Sequence, residues 1–243
     1  MRRLDALQAD IGVLRAVLRG MPPGPAHAQR LAAFYAPQAV DYDRFRERLL
    51  HGRSALVQGI PLGSAARVVD LGGGTGRNIE FFGARAQRIA SYEVVDLCEP
   101  LLERARARGV RYPQLRAIEA DATRWQPDAP VDVVILSYAL TMIPDWQAAI
   151  ANARAMLKPG GMLAAVDFHV SAAAPVAGRE HHGWFTRAFW PRWFGHDGVV
   201  LDAQRLDALC EAFPRHDLVE ARATVPYLPL LHVPYYRFLG YRP

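Results

Sequence analysis

Apolar runs of strand length alternate with amphipathic segments through the middle of this 243-residue chain. Each run is rich in β-branched or other apolar residues and is followed by turn residues, which indicates a buried strand. The segments between the runs repeat apolar residues at helical spacing. Strands that alternate with helices form a parallel sheet covered by helices on both faces. The predicted strands of this sheet span residues 66–71, 90–96, 115–120, 131–137 and 162–168.

Capping and turn residues predict where the helices between these strands begin and end. Pro100 opens a helix after the second strand, and Asp145 caps a helix that runs through Leu157. Near the C-terminus, residues 217–227 and 233–241 have strand-like composition, and we expect them to close the sheet as an antiparallel pair. The predicted fold class is therefore α/β, a doubly wound, mostly parallel seven-stranded sheet of Rossmann-like type.

The first quarter of the chain has a helical pattern instead. Apolar residues recur at helical spacing over residues 2–19, and a proline- and glycine-rich break follows at residues 21–25. Two more helical segments are predicted between His27 and Ile60, with Pro37 between them. We predict an N-terminal helical cap, residues 1–62, on a main domain of residues 63–243.

A glycine-rich turn follows the first predicted strand. Without a Cβ atom, glycine lets backbone N–H groups approach a ligand closely, and the next helix offers further unpaired N–H groups. Four glycines that pack nothing lose chain entropy without return, so a turn that binds nothing is the weaker interpretation. Asp70 ends the strand, and the turn contains Gly72, Gly73, Gly74 and Gly76.

Two common ligands do not match the spacing of this turn. A dinucleotide fingerprint needs a third glycine where Arg77 stands, and a phosphate loop needs Gly-Lys-Ser/Thr, which the turn lacks. The pattern that remains, Asp70-x-Gly72-x-Gly74-x-Gly76, resembles the first motif of the class I S-adenosylmethionine (SAM) methyltransferases.

Polar residues also follow the other predicted strands. Asp96 lies 24 positions after Gly72, about where doubly wound folds place an acid that binds ribose hydroxyls. Because the carboxyl ends of parallel strands meet at one edge of a sheet, we expect the polar strand ends to surround a common ligand. The remaining strand ends carry Asp121, Ser137, Tyr138, Asp167 and His169.

Composition narrows the class of protein. The chain is 51% apolar and 22% charged, with a net charge of +5, as in a globular protein with a mildly basic surface. Such a surface favours anionic lipid or nucleic acid, although charge alone does not separate them from a merely solvated surface. Cys98 and Cys210 make neither a disulfide framework nor a metal site, and the adjacent His181 and His182 lack the spacing of a metal pair. We expect no metal and a cytoplasmic location.

Membrane contact, if present, is expected to be peripheral, because no apolar stretch approaches the roughly 18 residues of a membrane span. The segment from His181 to Phe194 interleaves tryptophan and phenylalanine with arginine. Tryptophan is favoured at the lipid headgroup level and arginine attracts anionic lipid, so this segment suits a membrane surface. A helix that buries its aromatic residues in the domain is the equal alternative.

Several blocks of the sequence together resemble the betaine-lipid N-methyltransferases. These enzymes use SAM to trimethylate the amine of diacylglyceryl-homoserine, which gives diacylglyceryl-trimethylhomoserine. The resemblance covers about residue 28 to the end. It implies SAM as cofactor, with S-adenosylhomocysteine as product, a lipid substrate with an amine headgroup, an upstream homoserine-transferring enzyme, and a peripheral position on the inner face of the membrane. The blocks are residues 50–53, 70–80, 137–145, 166–169, 189–194 and 234–240.

The resemblance also implies roles for particular residues. The glycine turn would pass under the methionine part of SAM, with Asp70 supporting its ammonium group through the loop. Asp96 would bind the ribose hydroxyls, and Asp121 with Ala122 would meet the adenine amine. The expected cofactor-binding residues are Asp70, Gly72, Gly73, Gly74, Gly76, Asn78, Asp96, Leu97, Asp121, Ala122, Ser137, Tyr42 and Arg53.

Methyl transfer to an amine requires a neutral nitrogen that is positioned and desolvated. Tyr138, Asp167 and His169 are the catalytic candidates, because each is a polar group near a strand end that can orient the amine or accept its proton. For His169, a strand-end histidine with only structural partners is the alternative. Aromatic faces attract the quaternary ammonium product. The expected substrate-binding residues are Tyr35, Tyr138, His182, Trp184 and Tyr236.

Three rival functions remain open. A methyltransferase for phosphatidylethanolamine or another small amine uses the same chemistry. A nucleic-acid methyltransferase usually carries an Asn/Asp-Pro-Pro-Tyr/Phe motif after the fourth strand, where this chain has residues 137–140, Ser-Tyr-Ala-Leu, so we expect no nucleic-acid partner. A non-catalytic SAM-binding or membrane-surface module would keep the glycine turn without needing polar strand ends.

Overall fold

The computed structural model describes residues 20–243, except residues 23, 25, 39–41, 197, 226 and 227 and the side chains of residues 38, 42, 44–46 and 228–230. The predicted helix over residues 2–19 lies outside the described residues.

A seven-stranded sheet with strand order β3-β2-β1-β4-β5-β7-β6 forms the centre of the molecule. Strands β1 to β5 run parallel to one another, and β7 lies antiparallel to both β5 and β6. This confirms the predicted α/β fold with an antiparallel closing pair. The strands are β1 Ala66–Leu71, β2 Ile89–Asp96, β3 Leu115–Glu119, β4 Val131–Ser137, β5 Leu157–Phe168, β6 Arg215–Val225 and β7 Leu228–Tyr241.

Seven α-helices and two 3-10 segments accompany the sheet within the described residues. The 3-10 segments span Ala36–Gln38 and Arg77–Arg88. The helices are α1 His27–Tyr35, α2 Tyr42–Leu49, α3 Arg53–Gly59, α4 Glu99–Gly109, α5 Trp146–Met156, α6 Trp184–Gly195 and α7 Gln204–Ala212.

Alternate residues of the central strands face opposite helical layers. Val134 and Leu163 pack with buried residues of α5 and α7 on one face. Their neighbours Val133 and Ala164 pack with α3, the second 3-10 segment and α4 on the other. Because α3 belongs to this core layer, part of the predicted cap helps to cover the sheet; the boundary between residues 62 and 63 stays a prediction.

Three element predictions need correction. Between His27 and Ile60 the chain forms three α-helices instead of two, because Gly52 takes a φ of 82° at the start of α3, against the Tyr235 ring. The segment after the glycine turn is a 3-10 helix interrupted at Gly83, where φ is 56° and ψ is −133°. The strand after α5 begins at Leu157, with a shift in its pairing to β4 before Met162. Of the described helices, none is long and apolar enough to cross a bilayer.

Candidate active site

A cavity of about 370 Å³ lies beyond the carboxyl ends of β1 to β4, on the side where helix α1 covers the sheet edge. This is the position where doubly wound sheets bind their ligands. Eight residues predicted for the cofactor or substrate line it: Tyr35, Gly72, Gly74, Asp96, Leu97, Asp121, Ala122 and Tyr138.

The glycine turn forms the floor of this cavity. The Gly72 N–H group donates a hydrogen bond of 2.7 Å to the Val95 carbonyl, which draws the turn towards β2. At Gly72 the backbone φ is 65°, and a Cβ atom there would lie 2.6 Å from the Ala139 Cβ atom. Only glycine fits such a left-handed, closely approached position. The turn therefore forms a concave backbone surface, and this shape depends on the absence of a side chain at Gly72.

Two carboxylates on neighbouring strand ends line the cavity. Asp96 accepts hydrogen bonds from the N–H groups of Gly74 at 2.9 Å and Cys98 at 2.8 Å. Burial raises the pKa of Asp96, and these backbone donors act in the opposite direction. Asp121 accepts bonds from the N–H group of Thr123 at 2.9 Å and from its hydroxyl at 2.7 Å. Both carboxylates are thus held in fixed positions, as hydroxyl or amine recognition requires.

Asp70, Asn78 and Arg53 lie beneath the turn, and none of them lines the cavity. The Asn78 amide donates to both Asp70 carboxylate oxygens at 3.1 and 3.0 Å, and the Tyr92 hydroxyl donates to Asp70 at 2.7 Å. Burial raises the pKa of Asp70 to about 6. Arg53 donates from Nε and Nη2 to the Asn78 amide oxygen at 3.1 and 3.0 Å. Arg53, which was predicted to bind the cofactor, thus belongs to a buried network that supports the turn from below.

Other predicted cofactor residues also lie outside the cavity lining. A Cβ atom at Gly73 would lie 2.7 Å from the Asp70 Cγ atom, and one at Gly76 would lie 3.1 Å from Val94. These two glycines therefore serve packing beneath the turn. Ser137, the last residue of β4, has a buried hydroxyl outside the lining. Tyr42 begins α2, and its side chain lies outside the described residues.

Tyr138 lines the cavity with an unusual backbone. Its φ is 56°, which is uncommon for a residue with a Cβ atom, and its N–H group donates to the Val166 carbonyl at 2.7 Å. Its hydroxyl donates to the His51 carbonyl at 2.7 Å. Burial raises the pKa of Tyr138 well above its usual range, so the phenol stays protonated. Tyr138 is thus a fixed ring and hydrogen-bond donor, which argues against a role as a base.

Two predicted catalytic residues, Asp167 at the end of β5 and His169 just after it, have side chains that do not line the cavity. Asp167 accepts bonds from the Thr141 hydroxyl at 2.7 Å, the Thr141 N–H group at 3.0 Å and the Phe168 N–H group at 2.8 Å. Burial raises its pKa to about 6. The backbone N–H group of His169 donates to the Pro234 carbonyl at 3.1 Å, so the chain stays beside β7 at this point.

Three predicted substrate residues are also placed elsewhere. His182 is buried, and its Nδ1 atom accepts a 2.9 Å bond from the Ser171 N–H group. Tyr236 lies on β7 with its side chain buried in the core of the sheet. Trp184 is exposed at the start of α6. Of the five predicted substrate residues, only Tyr35 and Tyr138 reach the cavity.

Further lining residues were not predicted from the sequence. His27 and Leu31 come from α1, Leu101 from α4, and Ala139 and Met142 from the segment after β4. Burial lowers the pKa of His27, and the positive charge of Arg30 acts in the same direction. The spacing of Leu31, Phe34 and Tyr35, the buried residues of α1, was the available signal that one face of this helix is covered.

Several curated proteins are similar to this chain in sequence. Over 126 residues the chain is 36% identical to a trans-aconitate 2-methyltransferase of Variovorax paradoxus (strain S110), covering 51% of this chain and 46% of that protein. A trans-aconitate 2-methyltransferase of Methylobacterium radiotolerans is 31% identical over 184 residues, with coverage of 75% and 66%. The chain spans about half the length of the first of these relatives.

Solved structures agree with the fold. The N-methyltransferase NodS from Bradyrhizobium japonicum WM9, solved in complex with S-adenosylhomocysteine, superimposes with a TM-score of 0.57 at 19% identity. The match covers 89% of this chain and 96% of NodS. At this identity the likeness concerns the fold. The family model described as methyltransferase domain matches residues 41–219, which contain the glycine turn, both cavity carboxylates, strands β1 to β5 and the start of β6. The chain therefore belongs to the methyltransferase domain family.

Proposed function

We propose that this chain is a SAM-dependent methyltransferase. The observation that carries the proposal is the cavity at the strand ends, with a glycine cradle on one side and the fixed carboxylates of Asp96 and Asp121 on another. A side chain at Gly72 would collide with Ala139. Because glycine has no side chain, the backbone of the turn stays accessible to a ligand that approaches it closely. Family membership and the S-adenosylhomocysteine bound by NodS support the same cofactor.

In this proposal the glycine turn holds the methionine part of the cofactor, and Asp96 binds its ribose hydroxyls. Asp121 and Ala122 meet the adenine amine, while the apolar side chains of Leu97 and Leu101 flank the base. The bound cofactor would supply a methyl group already activated by its sulfonium. This chain's own residues then have to position the acceptor and exclude water.

We infer that the acceptor is an amine carried by a lipid, as in trimethylation of diacylglyceryl-homoserine. The cavity lining includes the aromatic rings of Tyr35 and Tyr138 and the thioether of Met142. Aromatic faces attract the cation that grows with each round of methylation. Burial among such groups favours the neutral amine, whose lone pair is needed. An upstream reaction that attaches homoserine to diacylglycerol would have to supply this substrate.

The curated relatives favour a second candidate, O-methylation of a small carboxylate, because two of them are named trans-aconitate 2-methyltransferase. Arg124 and His27 line the cavity and are the groups that a carboxylate acceptor would contact there. This candidate keeps the same cofactor site and replaces the lipid amine with a soluble acid.

Purified protein with methyl-labelled SAM separates these candidates. We expect label in the organic phase only when vesicles contain diacylglyceryl-homoserine. Label with phosphatidylethanolamine vesicles would move the substrate to a phospholipid amine, and base-labile label with trans-aconitate would establish a carboxylate acceptor. Binding of SAM without transfer to any of these acceptors would contradict the lipid-amine proposal and favour a binding module.

The variant Asp96→Ala tests the proposed cofactor site. Its matched control is Asp217→Ala, which changes an exposed aspartate on β6. Loss of two backbone hydrogen bonds and of a ligand contact at Asp96 is expected to weaken S-adenosylhomocysteine binding about 10- to 100-fold. Isothermal titration should show little change for Asp217→Ala. Equal affinity of the two variants would remove Asp96 from the cofactor site.

A further inference from the structure

Helix α6 presents an aromatic face to solvent. Half of its 12 residues are aromatic, and it contains two arginines and no acidic residue. Trp184 is 76% exposed, Phe185 is 52% exposed and Trp193 is 40% exposed. Large aromatic side chains exposed together on one helix are unusual for a surface that meets only water.

The half-buried ring of Phe189 joins the exposed rings of Phe185 and Trp193 into a continuous stripe. Phe185 stacks on Phe189 with ring centroids 5.4 Å apart, and Phe189 stacks on Trp193 with centroids 5.6 Å apart. These residues follow a spacing of four along the helix, which places them on one face. We call this surface the aromatic stripe; it consists of Phe185, Phe189 and Trp193, with Trp184 at its N-terminal end.

A neighbouring face of α6 is fixed to the domain beside the cavity, and Trp190 on this face packs edge-on against Phe189 with ring centroids 5.0 Å apart. Trp190 and Phe194 are buried, and Phe194 stacks on Phe168 with centroids 4.4 Å apart. Phe168 in turn packs edge-on against Tyr138, with centroids 4.7 Å apart, and Tyr138 lines the cavity. A short column of rings therefore connects the aromatic stripe to the site where the acceptor would lie.

We propose that the aromatic stripe of α6 docks on an anionic bilayer surface and so presents the cavity to a membrane-borne substrate. Tryptophan and phenylalanine insert at the headgroup boundary, and the exposed Arg192 complements anionic lipid. Since α6 lacks acidic residues, nothing on the helix itself repels such a surface. The proposal rests on the proposed function only in taking the substrate to be a lipid.

The test measures co-flotation of the full-length protein with vesicles of phosphatidylcholine alone and of equimolar phosphatidylcholine and phosphatidylglycerol. We expect binding to the mixed vesicles that weakens as salt rises. The double variant Phe185→Ser/Trp193→Ser should lose roughly tenfold or more in vesicle affinity, because two partly inserted rings are removed. Arg192→Gln should weaken binding to the mixed vesicles specifically. Val110→Ser, an exposed apolar residue at the end of α4, is the matched control and should float like the wild type.

Two readouts keep this test separate from that of the proposed function. S-adenosylhomocysteine affinity and the unfolding midpoint should be unchanged in the double variant, which shows that the fold and the cofactor site persist. Methylation of a water-soluble, short-chain homoserine lipid by a wild type that binds no vesicles would overturn the docking proposal and leave the methyltransferase in place. Equal flotation of wild type and double variant would also overturn docking through this stripe. Self-association that the double variant abolishes, without vesicle binding, would overturn it in favour of a protein interface.

Discussion

At the residue scale, the positions that shape the cavity are those where backbone conformation and close packing coincide. Gly72 combines a φ of 65° with the near contact to Ala139. Gly160 has a φ of 74°, but a Cβ atom there would meet no atom of the described residues within 4 Å. A side chain at Gly72 would therefore meet both backbone strain and a steric clash, whereas one at Gly160 would meet backbone strain alone. Gly72 belongs to the turn that holds the proposed cofactor, and Gly160 lies far along the chain in β5.

We expect Gly72→Ala to lower the free energy of unfolding by about 2–4 kcal/mol, the sum of left-handed strain and overpacking against Ala139. Gly160→Ala carries the strain alone and should lose only about 1 kcal/mol. Urea denaturation of both variants measures the difference. S-adenosylhomocysteine binding should weaken in Gly72→Ala and stay unchanged in Gly160→Ala. Similar stability losses in both would show that the Ala139 contact relaxes without penalty.

His169 makes the free energy of unfolding depend on pH in the acidic range. Burial lowers the pKa of its imidazole to about 3, and the positive charges of His182 and Arg179 act in the same direction. Glu220, with a carboxylate oxygen 3.5 Å from the His169 Nε2 atom, favours the charged ring but does not outweigh burial. In the unfolded chain the imidazole takes up a proton below its ordinary pKa of 6.5. The stability from neutral His169 is therefore complete above that value and is lost as the pH falls towards 3.

The variant His169→Gln should flatten this part of the pH profile. Between about pH 6.5 and about pH 5 the wild type is expected to lose about 2 kcal/mol more than the variant. Asp70 and Asp167, whose raised pKa values act with the opposite sign, are common to both proteins and cancel in the comparison. His181→Gln, at an exposed site, is the control and should follow the wild type. Parallel profiles for wild type and His169→Gln would show that His169 does not titrate on unfolding.

The aspartates at strand ends show what the sequence can and cannot predict about a site. Asp70 and Asp167 are the second-last residues of β1 and β5, and their side chains are buried against the sheet. Asp96 ends β2, and Asp121 follows β3, and both line the cavity. Since side chains alternate between faces along a strand, a shift of one residue moves a carboxylate from the cavity to the core. The sequence pattern alone does not locate a strand end to within one residue.

At the scale of elements, helix α2 is tied to the glycine turn by charged side chains. Asp43 accepts a 2.6 Å bond from the Thr75 hydroxyl and pairs with Arg108 at 2.7 Å. Arg108 also pairs with Glu80 at 2.6 Å, which extends the network across the start of the 3-10 segment. Thr75 lies inside the turn, so the position of α2 and the shape of the proposed cofactor site are linked.

Removing Asp43 should therefore affect both stability and binding. The Arg108–Asp43 pair is largely shielded, with side chains 13% and 28% exposed, and Asp43→Ala is expected to lose about 1–2 kcal/mol of unfolding free energy and to weaken S-adenosylhomocysteine binding several-fold. The exposed Arg106–Glu99 pair, at 46% and 43%, supplies the matched control. Glu99→Ala should change stability by less than about 0.5 kcal/mol and leave binding unchanged. Equal effects of the two substitutions would mean that the network does not support the turn.

Long, strongly patterned elements were predictable, and short ones were not. Strands β1 and β4 lie at their predicted bounds, and Asp145 caps α5 as expected by accepting a 3.1 Å bond from the Ala148 N–H group. Helices α2 and α3, at eight and seven residues, are too short for periodicity to separate them, and the break between them depends on the contact of Gly52 with Tyr235, 183 positions away. Contacts between residues so distant in sequence are invisible to a local pattern.

At the scale of the whole molecule, the sheet order shows what surrounds Asp167 and His169, which lie outside the cavity lining. Strand β7 inserts between β5 and β6 and pairs with residues 162–168 of β5, and the chain then leads to a second cluster of buried polar groups around His169 and His182. The glycine turn and the ends of β2 to β4 surround the switch in strand order, which lies between β1 and β4. The sequence pattern predicted the strands, but not the insertion of β7 between β5 and β6.

A cavity assembled from four strand ends and a covering helix should couple ligand binding to the stability of the entire fold. S-adenosylhomocysteine at a hundredfold excess over its dissociation constant is expected to add about 2.7 kcal/mol to the folded state. For a domain of this size that corresponds to a rise of roughly 5–10 °C in unfolding midpoint. NAD⁺ and ATP should give little shift, because the turn lacks the third glycine of a dinucleotide site and the lysine of a phosphate loop. Differential scanning calorimetry with each ligand, repeated on Asp96→Ala, compares these cases, and a shift with NAD⁺ or ATP as large as that with S-adenosylhomocysteine would reject the proposed cofactor.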